Sequence, residues 1–164
     1  MRHAPDERDS LALWLGRLVL AWGDLEAAIS VAVLMLYYEW GGHPSERKGP
    51  PRSLERKLTF IENCCNDNEQ LAPHRLIRDG GLGIVHVCRH LADLRHKLNH
   101  GAIWGEPDDL LVMMWDRIRK DGGGAVVFTS EAEITELVEH VHDVIPVAFE
   151  LVRKLREVSP NPLH

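Results

Sequence analysis

A mainly α-helical domain is predicted by three features of the chain. Apolar residues recur at steps of three and four over long stretches, at Leu11, Leu15, Leu18, Trp22, Leu25, Ile29, Ala32 and Leu36 and again at Ile134, Leu137, Val138, Val141, Ile145, Ala148, Leu151 and Leu155. Glycine and proline are concentrated between these stretches rather than within them, as in Trp40-Gly41-Gly42-His43-Pro44 and Gly49-Pro50-Pro51. With 164 residues the chain is long enough to bury an ordinary core as one domain, here 1–158 with a tail of 159–164. The expected architecture is an up-and-down bundle of about four principal helices with a small β-hairpin inserted before the last.

The first helix is expected from Pro5 or Asp6 to about Glu39. Trp14, Ala21, Ala28, Val31 and Met35 lie partly off its main stripe, so its second half is apolar nearly all round and asks for cover on more than one side. In so small a domain a second copy of the chain is the simplest cover, and a homodimer is expected. Arg17, Asp24 and Glu26 interrupt the apolar run. The uncharged part, from Ala27 to Tyr38, falls short of the roughly 20 residues a bilayer span requires. No membrane association is expected, and no secretion signal is read at Met1 to Ser10.

Ser53 is placed as the N-cap of a second helix that carries Leu54, Leu58, Ile61 and Cys65 on one face and ends near Asn66 to Asn68. Pro73 to Asp79 is expected as a short helical turn, broken by Gly80-Gly81-Leu82-Gly83. A third helix then runs from about Leu82 to His100, with Ile84, Val87, Leu91, Leu94 and Leu98 facing the core and His86, His90, Asp93, Lys97 and His100 opposite. Arg95 belongs to neither side. It sits beside the apolar stripe next to Cys88 and about 140° from His100 on an ideal helix, where a charge needs a partner or a wet cleft. Leu110 to Trp115 and Ala125 to Phe128, either side of Lys120 to Gly124, read as a two-stranded flap with a glycine turn. Ser130 and Glu133 have capping-box spacing and open a last helix to about Val158, with a kink expected at Pro146.

Net charge is −6, which excludes a protein that coats nucleic acid by bulk electrostatics and leaves only local contacts. The basic positions available for such contacts to RNA are Arg47, Lys48 and Arg52 in the loop after the first helix, and Lys97. A solvated surface is the plainer reading of the same charges. Three cysteines, two of them the adjacent pair Cys64-Cys65, form neither a disulfide framework nor a zinc spacing, and are read as reduced and buried. His86/His90 and His96/His100 are pairs four apart, but Asp93 is the one carboxylate near them, so no metal site and no cofactor is expected. Trp40, Trp104 and Trp115 are read as packing residues before base-stacking ones.

The stretch that carries chemistry is Asp93-Leu94-Arg95-His96-Lys97-Leu98-Asn99-His100-Gly101. Two Arg-to-His spacings of this kind occur, Arg95/His100 and Arg89/His96, about what chance supplies in a chain with 10 histidines. Context separates them. Leu94 to Trp104 follows an arginine, polar residue, histidine, glycine and aromatic order, and with Trp22-Gly23-Asp24-Leu25-Glu26 and the Leu-rich second helix it resembles the HEPN superfamily of helical dimers. His96, next to the arginine, departs from the commonest choice there.

That resemblance implies a metal-independent endoribonuclease of toxin or defence type, cytoplasmic and homodimeric, with a cognate antitoxin protein as a partner. Arg95 and His100 would be the catalytic pair in a cleft between two copies, with His96 and Asn99 supporting. The residue types fit the task. Histidine titrates near neutrality, and the arginine fork suits a phosphate. The alternative is a non-catalytic helical dimerisation or interaction module, since a helix C-terminus attracts Arg, Lys and His through its dipole alone.

Overall fold

The computed structural model describes residues 7–46, 48–100, 102–104, 111–115, 124–128 and 131–161, and the side chains within 12–46, 48–96, 98 and 132–161. The protein is mainly helical, and its helices form a bundle. They are α1 (Glu7–Tyr38), α2 (Leu54–Asp67), α3 (Arg75–His100) and α4 (Glu131–Glu157), with one 3₁₀ turn at Pro44–Glu46. The chain divides into two compact units: residues 1–21 with 90–141, and residues 22–89 with 142–164.

Among the described residues most of the buried ones lie in the second unit. From α1 it takes Trp22, Leu25, Ala28, Ile29, Ala32, Val33, Met35 and Leu36, from α2 Leu58, Phe60, Ile61, Cys64 and Cys65, and from α4 Ala148, Leu151 and Leu155, all buried. α1 stops because Gly41 and Gly42 take left-handed backbone (φ 75° and 66°), a conformation that costs a residue with a Cβ. The Gly42 amide then donates back to the Leu36 carbonyl at 2.8 Å. Asn68, just after α2, fastens this corner by donating its side-chain amide to the carbonyls of Trp40 and Gly42 at 2.8 and 3.1 Å. Ser53 does precede α2, with extended backbone, but its side chain makes no capping hydrogen bond. At the other end of α2 the Arg78 Nε donates to the Cys65 carbonyl at 2.6 Å, satisfying a group that the helix end leaves open.

The glycine break expected at 80–83 does not occur, and α3 runs unbroken through it from Arg75. Glycine in a helix interior costs about 0.5–1 kcal/mol relative to alanine, so it weakens a helix without ending it. At Gly81 that cost secures close packing: a Cβ there would lie 2.6 Å from the Cys65 Sγ and 3.6 Å from the Ile61 Cγ2. Docking α3 on α2 at this point also turns the helix. Ile77, Gly81, Ile84, Val85, Cys88 and Leu91 are buried, whereas Val87, expected in the core, is 37% exposed. The three cysteines are free and buried, as their composition suggests. Burial pushes the Cys64 thiol up to about 12 and those of Cys65 and Cys88 up to about 11.

In the first unit Leu18 and Ala21 of α1, Leu91 and Leu98 of α3, and Ile134, Leu137, Val138 and Val141 of α4 are buried. Where a two-stranded flap is expected, the backbone forms three strands, two of them at the expected stretches. Three short strands, β1 (Ala102–Trp104), β2 (Leu111–Trp115) and β3 (Gly124–Phe128), pair antiparallel in the order β1-β2-β3. Strand β1 is only three residues long, too short for an alternating pattern to be read from sequence. Ser130 of the capping box lies outside the described residues. α4 continues through Pro146.

Among the described residues one helix, α1, is long and apolar enough to cross a membrane by length and composition: Ala12–Tyr38, mean hydropathy 1.8. Half of that window is buried inside the protein, the pattern that a core helix also gives. Part of the remainder faces outward. Leu13, Val19 and Leu20 in the first unit are 54%, 57% and 72% exposed.

Candidate functional site

The motif stretch Asp93 to His100 forms the last two turns of α3, which ends at His100. Arg95 is half-buried, with its Nε shielded from solvent, and His96 and Asp93 are exposed. All three are engaged in polar or electrostatic interactions, so Arg95 is not a bare charge against the apolar side. The side chains of Lys97, Asn99 and His100, and residue Gly101, lie outside the described residues. On an ideal helix positions 95 and 100 lie about 140° apart around the axis.

The other Arg-to-His spacing resolves differently. Arg89 lies across α2, donating from Nε to Glu55 Oε1 at 3.1 Å and from Nη2 to Glu62 Oε2 at 2.8 Å and to the Thr59 hydroxyl at 3.2 Å. The hydrogen bond from Arg89 holds the Glu62 carboxyl below the usual carboxylate range against the opposing effect of burial. Two carboxylates spend the Arg89 charge on holding α3 to α2.

A second place of interest is in the other unit. Ser30, Leu34 and Tyr38 of α1, Glu46 to Arg52 without Arg47, and Arg56 and Lys57 of α2 line a cleft of about 690 Å³. Its cations differ in how they are held. Arg56 makes a bidentate pair with Glu46 at 2.7 Å, and Lys57 reaches Glu26 at 3.1 Å and the Ser30 hydroxyl at 2.9 Å. Lys48 and Arg52 are exposed, and among the described residues no ion pair engages either. Arg47 lies outside the described residues.

Tyr38, on the wall of this cleft, is 55% exposed and meets Tyr37 edge-on with ring centres 5.0 Å apart. Periodicity alone did not single it out, because it closes an apolar run that reads as core. Among the described residues no three His, Cys, Asp or Glu side chains gather as metal ligands; His86 and His90 are both exposed.

No protein-family model matches the chain, and neither the curated proteins nor the solved structures searched contain a match.

Proposed function

We propose that the protein is a HEPN-like, metal-independent endoribonuclease of toxin or defence type, cytoplasmic and active as a homodimer, with Arg95 and His100 as its catalytic pair. The observation that carries this reading is the unbroken course of α3 through Arg95 to His100, with Arg95 half-buried rather than extended into solvent. An arginine so held is ordered before substrate arrives, which is what electrostatic stabilisation of a phosphorane-like transition state needs. His100 takes the proton from an RNA 2′-hydroxyl as its oxygen bonds to phosphorus. The bond to the 5′-oxygen breaks and that oxygen receives the proton, leaving a cyclic phosphate and a 5′-hydroxyl end. Arg95 holds the non-bridging oxygens, and His96 and Asn99 support the pair. The 140° between Arg95 and His100 on one helix is the reason for two copies, and a cognate antitoxin protein would act by covering or separating them.

The test is growth on induced expression, and cleavage of total RNA in EDTA, for the wild type against His100→Ala. Arrest and cleavage by the wild type, both lost in the variant, are expected. Cleavage that persists in His100→Ala contradicts the role given to His100. The reading as a non-catalytic interaction module draws on one observation, the outward Leu13, Val19 and Leu20 of α1. It predicts self-association or partner binding with no cleavage by the wild type.

A further inference from the structure

Over the whole chain negative charge prevails, at −6, yet the cleft beside Tyr38 is lined by four cationic side chains, Lys48, Arg52, Arg56 and Lys57, against one carboxylate, Glu46. A local reversal of sign in an acidic protein is a site-specific feature. It is not a by-product of composition. Arg56 and Lys57 are held by their pairs with Glu46 and Glu26 and so shape the wall, while Lys48 and Arg52 keep their charge for a ligand. α2 begins two residues after Arg52, and the positive end of its dipole adds to the same potential.

The wall opposite in character is supplied by α1. Tyr38 and Leu34 are 55% and 44% exposed, so a large ring and an apolar side chain stand at the edge of a positively charged groove. Cations that track a backbone, next to an aromatic face on which a base can lie, are the two parts of a site for single-stranded nucleic acid. At about 690 Å³ the cleft is within the range of pockets that take a nucleotide-sized ligand.

We propose that this cleft holds a segment of single-stranded RNA, with Lys48 and Arg52 on successive phosphates and a base stacked on Tyr38. The choice of RNA rests on the nuclease reading above; the sign and shape of the cleft do not. Its role is to hold substrate, and no bond is made or broken there.

The experiment is fluorescence anisotropy of a short labelled single-stranded RNA in EDTA, in the His100→Ala background so that the probe is not consumed. Lys48→Glu/Arg52→Glu is compared with a control that makes the same charge change elsewhere, Arg75→Glu/Arg156→Glu, both exposed. Melting temperature and far-UV circular dichroism check that each variant is folded. The cleft variant is expected to bind at least roughly tenfold more weakly than the control, with a salt slope reduced by about 1.4. Tyr38→Ala is expected to lose roughly fivefold or more, and Tyr38→Phe to bind like the parent.

Equal weakening in the cleft variant and its control, or no weakening in either, overturns the proposal. So does failure of the parent to bind RNA, including the case where it instead sediments with anionic phospholipid vesicles. The two readings fail separately. Binding that depends on the cleft in a chain whose wild type cuts no RNA removes the nuclease and keeps the site. Cleavage that is indifferent to Lys48 and Arg52 removes the site and keeps the nuclease.

Discussion

The two halves of α3 use the same residue types for different ends. In the first half, Arg75 to Arg89, glycine permits contact and arginine closes it: Gly81 lets Cys65 approach, and Arg89 spends its charge on Glu55 and Glu62. In the second half, His90 to His100, Arg95 is half-buried and the helix ends in His96, Lys97, Asn99 and His100. Each half supplies the arginine of one Arg-to-His spacing, Arg89 of Arg89/His96 and Arg95 of Arg95/His100. The difference teaches that the spacing carries no chemistry by itself, and that the surroundings of the arginine decide whether it is a tie or a candidate for catalysis.

Substitutions in the two halves should therefore separate stability from activity. The largest stability effect is expected at Gly81. Gly81→Ala places a methyl group 2.6 Å from the Cys65 Sγ, and overpacking of this kind costs about 1–3 kcal/mol, more than the better helix propensity of alanine returns. Urea denaturation should show the loss, and adding Cys65→Ala should recover part of it. Gly83→Ala, in the same run, meets nothing within 4 Å and should raise stability by about 0.5–1 kcal/mol. If both alanines destabilise alike, close approach is not the reason for Gly81.

A smaller effect is expected from Arg89→Met. The arginine and Glu62 are each about one-third exposed and Glu55 more so, so solvent screening limits the loss to about 0.2–1 kcal/mol. Its pH dependence has a definite sign. The folded-state pKa of Glu62 is lowered by the hydrogen bond from Arg89, so the stabilisation is present above the usual carboxylate value of 4.5 and is lost as pH falls below it. Denaturation midpoints of wild type and Arg89→Met should converge in that acid range. Curves that stay parallel through it would remove the pair from the account.

Much of the helical layout was legible in the sequence because long periodic stretches leave little choice. The expected stripe of α1 is buried from Leu18 to Leu36, and that of α4 is buried at seven of its eight positions, Ile145 being half-buried. The start of α3 was not legible. Three glycines in four residues read as a break, and only the position of Cys65 on a neighbouring helix explains why one of them is glycine. A stripe taken from Leu82 onward places Val87 inside, whereas over the full helix from Arg75 it lies 37% exposed. β1 was missed for its length.

The candidate site was legible in part. Arg95 could be placed against the apolar side from helical angles, but the division of labour between Arg89 and Arg95 depends on α2, 27 residues or more away in sequence. Lys48 and Arg52 stood out as charges. Tyr38 did not, because an exposed aromatic and a core aromatic look the same in an apolar run.

The most direct test of this account is the rate of RNA cleavage in EDTA by Arg89→Ala and Arg95→Ala, each normalised to its folded fraction. Arg95→Ala is expected to lose at least roughly a hundredfold, the effect of removing one donor from a developing phosphate charge, while Arg89→Ala keeps the wild-type rate per folded molecule. Equal losses in the two variants, or the larger loss in Arg89→Ala, would contradict the division of α3 into a tie and a site.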